Sequence, residues 1–161
     1  MQNRKFVAQS FALLMIAGIA TGTFARDDHN MYSIEEAMNT PAALEKLNKD
    51  IKLYFGKQKA PAAAKNLGEW KTNKKTNAFN KTDKEACEWT FLSAVLELQE
   101  RAVKDGGDAV VNIVSNYKNQ ETISETEYMC GNGALMSGVA FKGTVIKTGK
   151  PETPTAKGKK K

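Results

Sequence analysis

Apolar and polar positions along this chain switch between two periods, and the switches mark its elements. Phe6 to Ala20 is an almost unbroken apolar run, interrupted by Gln9 and Ser10 and centred on Leu13, Leu14, Met15 and Ile16. Residues 26–32 are polar and predict a loose segment. Ser33, Ile34, Glu35 and Glu36 form a capping-box pattern: the serine hydroxyl accepts from the third amide and Glu36 reaches back. A short helix through about Met38 follows. Pro41 suits the first turn of a second helix, with Leu44 and Leu47 on one side. Ile51, Leu53 and Phe55 alternate with Lys52 and Tyr54, which predicts a strand ending at Gly56. Lys57 to Lys65 is an alanine-proline-lysine connector. Leu67 to Asn73 predicts another strand with Trp70 turned inward, and Thr72 to Lys84, dense in Lys, Asn and Thr, predicts a long polar loop.

The strongest pattern is helical and runs from about Lys84 to Lys104. Cys87, Phe91, Ala94, Val95, Leu98 and Ala102 recur every three or four positions and make one buried stripe. Glu97, Glu100, Arg101 and Lys104 fall on the wet side. Thr82 or Asp83 caps the start, where acidic Asp83 and Glu85 suit the positive end of the helix dipole. Gly106-Gly107 ends it. Asp108 to Tyr117 then reads as a strand. Val110, Val111, Ile113 and Val114 are too continuous for a strand with one face in water, so it is central. Asn119 to Thr126 is a polar turn region or hairpin. Tyr128-Met129-Cys130 predicts a short strand ending in the glycine turn Gly131-Asn132-Gly133. Leu135 to Lys147 completes the sheet, with Val139, Phe141, Thr144 and Ile146 packing. The fold class expected is α+β: one long helix packed on a small mixed or antiparallel sheet.

Residues 1–25 have the layout of a secretory signal. Arg4 and Lys5 precede the apolar run, and Thr23-Phe24-Ala25 resembles a small-x-small cleavage site. The run of 15 residues is shorter than the roughly 20 needed to span a bilayer. No cysteine follows it to carry a lipid. The expected product is periplasmic or secreted, begins at Arg26, and has no stable membrane insertion. Residues 26–147 form the domain, and residues 148–161 form a disordered Lys/Pro-rich tail.

Charge follows the same division. The chain carries 24 basic and 18 acidic side chains, a formal +6 that invites a nucleic-acid partner. Arg26–Ile146 holds 16 basic against 17 acidic residues, while Lys147–Lys161 holds six lysines against Glu152. The excess sits at the ends, so nucleic acid is not the expected partner of the folded part.

In an exported chain, Cys87 and Cys130 are expected to form a structural disulfide closing a 43-residue separation. Redox-active pairs sit closer together, and Cys87 lies on the apolar stripe. Two cysteines and one histidine are too few for a structural zinc site. His29 follows Asp27 and Asp28, but it would be the fourth mature residue, and amino-terminal copper sites need the third. Asn80-Lys81-Thr82-Asp83 matches a guanine-reading tetrapeptide, but no phosphate-binding loop accompanies it, so it reads as a loop entering a helix cap. Ser93 and Ser115 have no local histidine to activate them, and Glu88, Glu97 and Glu100 read as a solvated helix face. No catalytic, metal or cofactor residue is expected. The candidate binding segment is the Lys-rich stretch 71–84, with Lys74, Lys75, Asn77, Phe79, Asn80 and Lys81 as its candidate ligand-binding residues. Basic residues interleaved with aromatics suit an anionic ligand or nucleic acid; a solvated loop with Phe79 docked on the core is the alternative.

Several runs together resemble a known family. They are Lys75-Thr76-Asn77-Ala78-Phe79-Asn80-Lys81, Cys87 to Ala94 with Leu98 to Ala102, Gly107 to Ile113 with Ser115 and Tyr117, Glu127 to Gly131, and Gly138 to Gly143. The set resembles small exported proteobacterial proteins that carry the name excinuclease ATPase subunit. An excision-repair ATPase needs Walker motifs and zinc-binding cysteines; this chain has neither, so that activity is not implied. The helix ending in Ala102 to Val111 is also similar to YbjQ-type domains, called heavy-metal-binding, and to the signalling domain of the Rcs envelope-stress lipoprotein. These resemblances imply a compact α+β module. The expected function is a non-enzymatic envelope protein that binds or senses an envelope protein or small ligand. The alternatives are anionic-ligand or nucleic-acid binding through the 71–84 segment, a metal-binding protein, or an enzyme.

Overall fold

The computed structural model describes residues 26–149. The predicted leader, residues 1–25, and residues 150–161 of the predicted tail lie outside the described residues. The elements are β1 (Asp28–Ser33), α1 (Ile34–Met38), α2 (Pro41–Lys46), β2 (Lys52–Phe55), β3 (Ala63–Asn77), α3 (Asp83–Asp105), β4 (Ala109–Tyr117), β5 (Gln120–Thr122), β6 (Glu127–Asn132) and β7 (Met136–Thr148).

The fold is α+β with a mixed sheet, but the sheet is not small. Strands take up 45% of the described residues, so the sheet dominates rather than the long helix. All seven strands join in one sheet. β7 is its spine. Along one edge it pairs antiparallel with β3, from Ala63↔Thr148 to Asn77↔Met136. Its other edge is shared: β6 takes the start, at Gly131↔Gly138, and β4 takes the rest, at Val110↔Val145 and Ser115↔Phe141. β1 adds to β6, β5 to β4, and β2 pairs parallel with β4.

α3 forms where the periodicity requires it. Thr82 and Glu85 complete a reciprocal capping box, and Gly106 closes the helix in the left-handed conformation at φ 76°. The Asn80–Asp83 tetrapeptide is therefore a helix entry. Cys87, Phe91, Ala94, Val95, Leu98 and Ala102 are all buried against the sheet. Phe91 is the centre of an aromatic cluster, with its ring 4.6 Å from Tyr128 and 5.5 Å from Phe141. Cys87 and Cys130 are joined in a disulfide that ties the second turn of α3 to β6.

Four expectations are corrected. Residues 28–32 are not loose: they pair with β6, because Cys130 and Tyr128 turn into the core and leave that edge open. The polar stretch Thr72–Asn77 is not a loop: it continues β3, each residue paired to β7. Gly131 and Asn132 belong to β6 rather than to a turn, since β7 pairs with both. Glu97 and Arg101 are not simply on the wet side of α3, because β3 reaches them: Lys74 pairs with Glu97 at 3.2 Å and Arg101 stacks on the Trp70 ring.

β7 extends through Thr148, and Asp108 explains why. Its carboxylate accepts from the Thr148 amide at 2.8 Å and hydroxyl at 3.0 Å, with Lys147 at 3.2 Å. Partial burial opposes ionisation there, but these donors together hold the Asp108 carboxyl below its ordinary value. Asp108 thus latches the last strand to the loop after α3.

Candidate functional site

Strand alternation splits the predicted binding segment. On β3, Thr72 and Lys74 pair with the core residues Phe141 and Val139 and face α3, while Lys71, Asn73 and Lys75 pair with Lys142, Ala140 and Gly138 and face away. Lys74 and Lys75 therefore point to opposite sides, and Lys74 is engaged by Glu97. Beyond the strand, the Asn77 side chain accepts from the Phe79 amide at 2.7 Å, and the Lys81 ammonium donates to the Asn77 carbonyl at 3.1 Å. These contacts, with Asn80 at φ 58°, fold the turn into α3. Phe79 is 62% exposed and does not dock on the core. The six candidate residues do not converge on one site.

A different set converges on the face of the sheet opposite α3. Lys71 and Asn73 from β3, Ala140 from β7, and Asn116, Lys118 and Asn119 from the end of β4 enclose a depression of about 160 Å³. Lys118 and Asn119 form a two-residue hairpin loop between the paired Tyr117 and Gln120, and both have positive φ, 51° and 62°. That is the type I′ geometry, whose backbone twist matches paired strands and which favours Asn or Gly at both positions. A lysine at the first position is disfavoured by its backbone and is explained by what its side chain reaches.

Asn116 lines the depression. The residue is only 6% exposed, and its side-chain amide is not one of the buried polar groups left without a partner, which among the described residues are the Trp70 indole nitrogen and the Thr72 and Tyr128 hydroxyls. Lys71 forms no ion pair among the described residues, whereas Lys118 pairs with Asp27, which raises the ammonium pKa and lowers that of the carboxyl. Both groups are exposed, and such pairs are worth little, so Lys118 can exchange Asp27 for another anion.

The wall is held by an aromatic seat. The Tyr117 ring lies over Gly131 and Gly138, which present no side chain on that face. A Cβ on Gly131 would come within 2.0 Å of the Tyr117 oxygen. His29, paired with Gly131, meets the Tyr117 ring edge-on at 5.1 Å. Its Nε2 lies 3.4 Å from Asp27. Among the described residues no three His, Cys, Asp or Glu side chains gather as metal ligands.

Around the disulfide, Asn132 is fully buried and accepts from Ser137 at 2.8 Å. Its oxygen lies 3.1 Å from the Cys87 sulfur, a contact rather than a hydrogen bond, because a disulfide sulfur carries no proton. The buried Tyr128 hydroxyl has no hydrogen-bond partner among the described residues. Burial foremost, with Glu88 nearby, pushes its phenol well above the ordinary range, so it stays protonated.

The sequence reading missed Asn73, Asn116, Lys118 and Asn119 as a group. The available signal was the pair Lys118-Asn119 between two polar strand ends, a hairpin turn with a charged residue where Asn or Gly is favoured. No family model, curated protein or solved structure matches this chain.

Proposed function

We propose that the chain is an exported, non-enzymatic binding module of the cell envelope that takes an anionic, hydroxyl-bearing ligand on the open face of its sheet. The carrying observation is the lining of the depression, where the ammonium groups of Lys71 and Lys118 stand beside the side-chain amides of Asn73, Asn116 and Asn119. The ammonium groups suit sulfate, phosphate or carboxylate oxygens. The amides of Asn73, Asn116 and Asn119 both donate and accept, which suits sugar hydroxyls.

Export is supported by the leader-like start and by the buried disulfide, a bond that persists in oxidising compartments. No helix among the described residues is long and apolar enough to cross a membrane. The resemblance to exported proteobacterial proteins points the same way. Among the described residues Ser93 donates to the carbonyl of Trp89, the Ser115 hydroxyl accepts from the Met129 amide, and His29 sits at Tyr117.

The test is titration of residues 26–161 with a sulfated oligosaccharide, followed by amide NMR at low and moderate salt. The largest shifts are expected at Asn73, Asn116 and Asn119. Lys71→Gln and Lys118→Asn should each weaken binding at least fivefold. Lys118→Asn also suits the turn, so lost affinity with unchanged or raised stability separates binding from folding. Binding that disappears on removing residues 150–161 alone, with no shift at Asn116, overturns the reading.

A further inference from the structure

The groove between α2 and α3 lies on the opposite side of the molecule's core and has a different chemistry. Trp89 is 47% exposed and Val103 55%, with half-buried Leu96 between them. Spacings of seven residues place the three on one side of α3, along about 21 Å at 1.5 Å per residue. Pro41 and Ala42 of α2 face Trp89, and buried Leu92 floors that end, around a cavity of about 310 Å³. A second cavity of about 310 Å³ lies at Leu96 and Val103. Glu85 and Glu88 border the first and Glu100 borders the second; Lys46 borders the second, and Lys84, paired with Glu36 at 2.7 Å, lies 3.9 Å from Glu88, so carboxylates remain in excess.

We infer that this groove docks an amphipathic helix of a partner protein, with apolar residues along one stripe and lysine or arginine on its flanks. The length selects about four helical turns. Anchors at i, i+3, i+4 and i+7 would meet Trp89, Leu92 and Leu96 in succession. Trp89 is the expected hot spot, since exposed tryptophans beside apolar pockets dominate such interfaces. Charge selects the partner. A second copy of this chain would bring the same carboxylates face to face, and an anionic lipid surface would be repelled. A basic flank instead meets Glu85, Glu88 and Glu100. The inference stands apart from the anion site, which uses none of these residues.

The probe is a synthetic 14-residue helix with leucines on one stripe and lysines on the flanks, titrated into residues 26–161 and followed by isothermal titration calorimetry, with tryptophan fluorescence as a second readout for chains that keep Trp89. The expected result is saturable binding with a blue shift. Trp89→Ala and Val103→Glu should each weaken it at least tenfold without moving the urea midpoint by more than a few tenths molar. A glutamate-flanked peptide should bind at least tenfold more weakly, and Lys71→Gln should leave peptide affinity unchanged. Equal affinity for both peptides, indifference to Trp89→Ala and Val103→Glu, or self-association that competes with the peptide would each overturn the inference.

Discussion

Gly131→Ala is expected to destabilise the protein through one residue, Tyr117, and through no other. The added Cβ would lie 2.0 Å from the Tyr117 oxygen and 2.1 Å from its ring carbon, and the three nearest atoms all belong to that side chain. The backbone at Gly131 is not left-handed, so alanine carries no conformational penalty. The ring must therefore leave its seat. Tyr117 is half-buried, and releasing about 100 Å² of aromatic surface at ~25 cal/mol per Å² costs about 2.5 kcal/mol. With Tyr117→Ala already in place, the obstruction is gone. Gly131→Ala should then be neutral or stabilise by about 0.4–1 kcal/mol, because the unfolded chain loses freedom. The assay is a double-mutant cycle by urea unfolding on four proteins, with an expected coupling of about 2–3 kcal/mol. Equal costs in both backgrounds, within about 0.5 kcal/mol, would refute the seat. Since Tyr117 precedes the Lys118-Asn119 turn, the single variant should also lose oligosaccharide affinity.

Two further outcomes follow from the latches of the fold. Replacing Cys87 and Cys130 together by alanine frees a 43-residue separation, worth about 4 kcal/mol in the chain-entropy model, so the urea midpoint should fall sharply; a loss under about 1 kcal/mol would contradict it. Asp108 has a lowered folded-state pKa, so its contribution is present above the unfolded value near ~3.9 and is lost as pH falls through the folded value. The stability difference between the parent and Asp108→Asn should therefore be larger at pH 7 than at pH 3, measured by urea unfolding, and a difference that grows on acidification would exclude the latch.

The sequence was most legible where one period dominates. The α3 stripe, its Thr82 cap and its Gly106 stop are local signals, and each appears within a residue or so of its expected place. β4 was legible for the same reason, as a continuous apolar run buried on both faces. The failures share a cause. β1 and the second half of β3 are polar strands at the margins of the sheet, where pairing is decided by the edge a neighbour offers rather than by their own apolar content. Lys71, Lys74 and Lys75 read as solvated loop residues, yet lysines are also what a long edge strand carries to discourage further pairing.

Edge protection requires only that lysines be present along β3; it does not require any of them to meet another element. Lys74 fulfils it while bound to Glu97. Lys71 does more, because strand alternation turns it to the face where the β4–β5 turn arrives with Lys118 and Asn119. No edge-strand argument accounts for Lys118, which occupies a positive-φ turn position, or for Asn116, which lines the same depression from β4. These two residues lie about forty positions from the lysine-rich segment that drew attention first. Only the pairing of β7 with both β3 and β4 brings them beside it. The proposed ligand face is thus a product of topology acting on alternation. A composition-based reading finds the lysines of β3 but assigns the binding to the turn beyond them, where the side chains are occupied by the entry into α3.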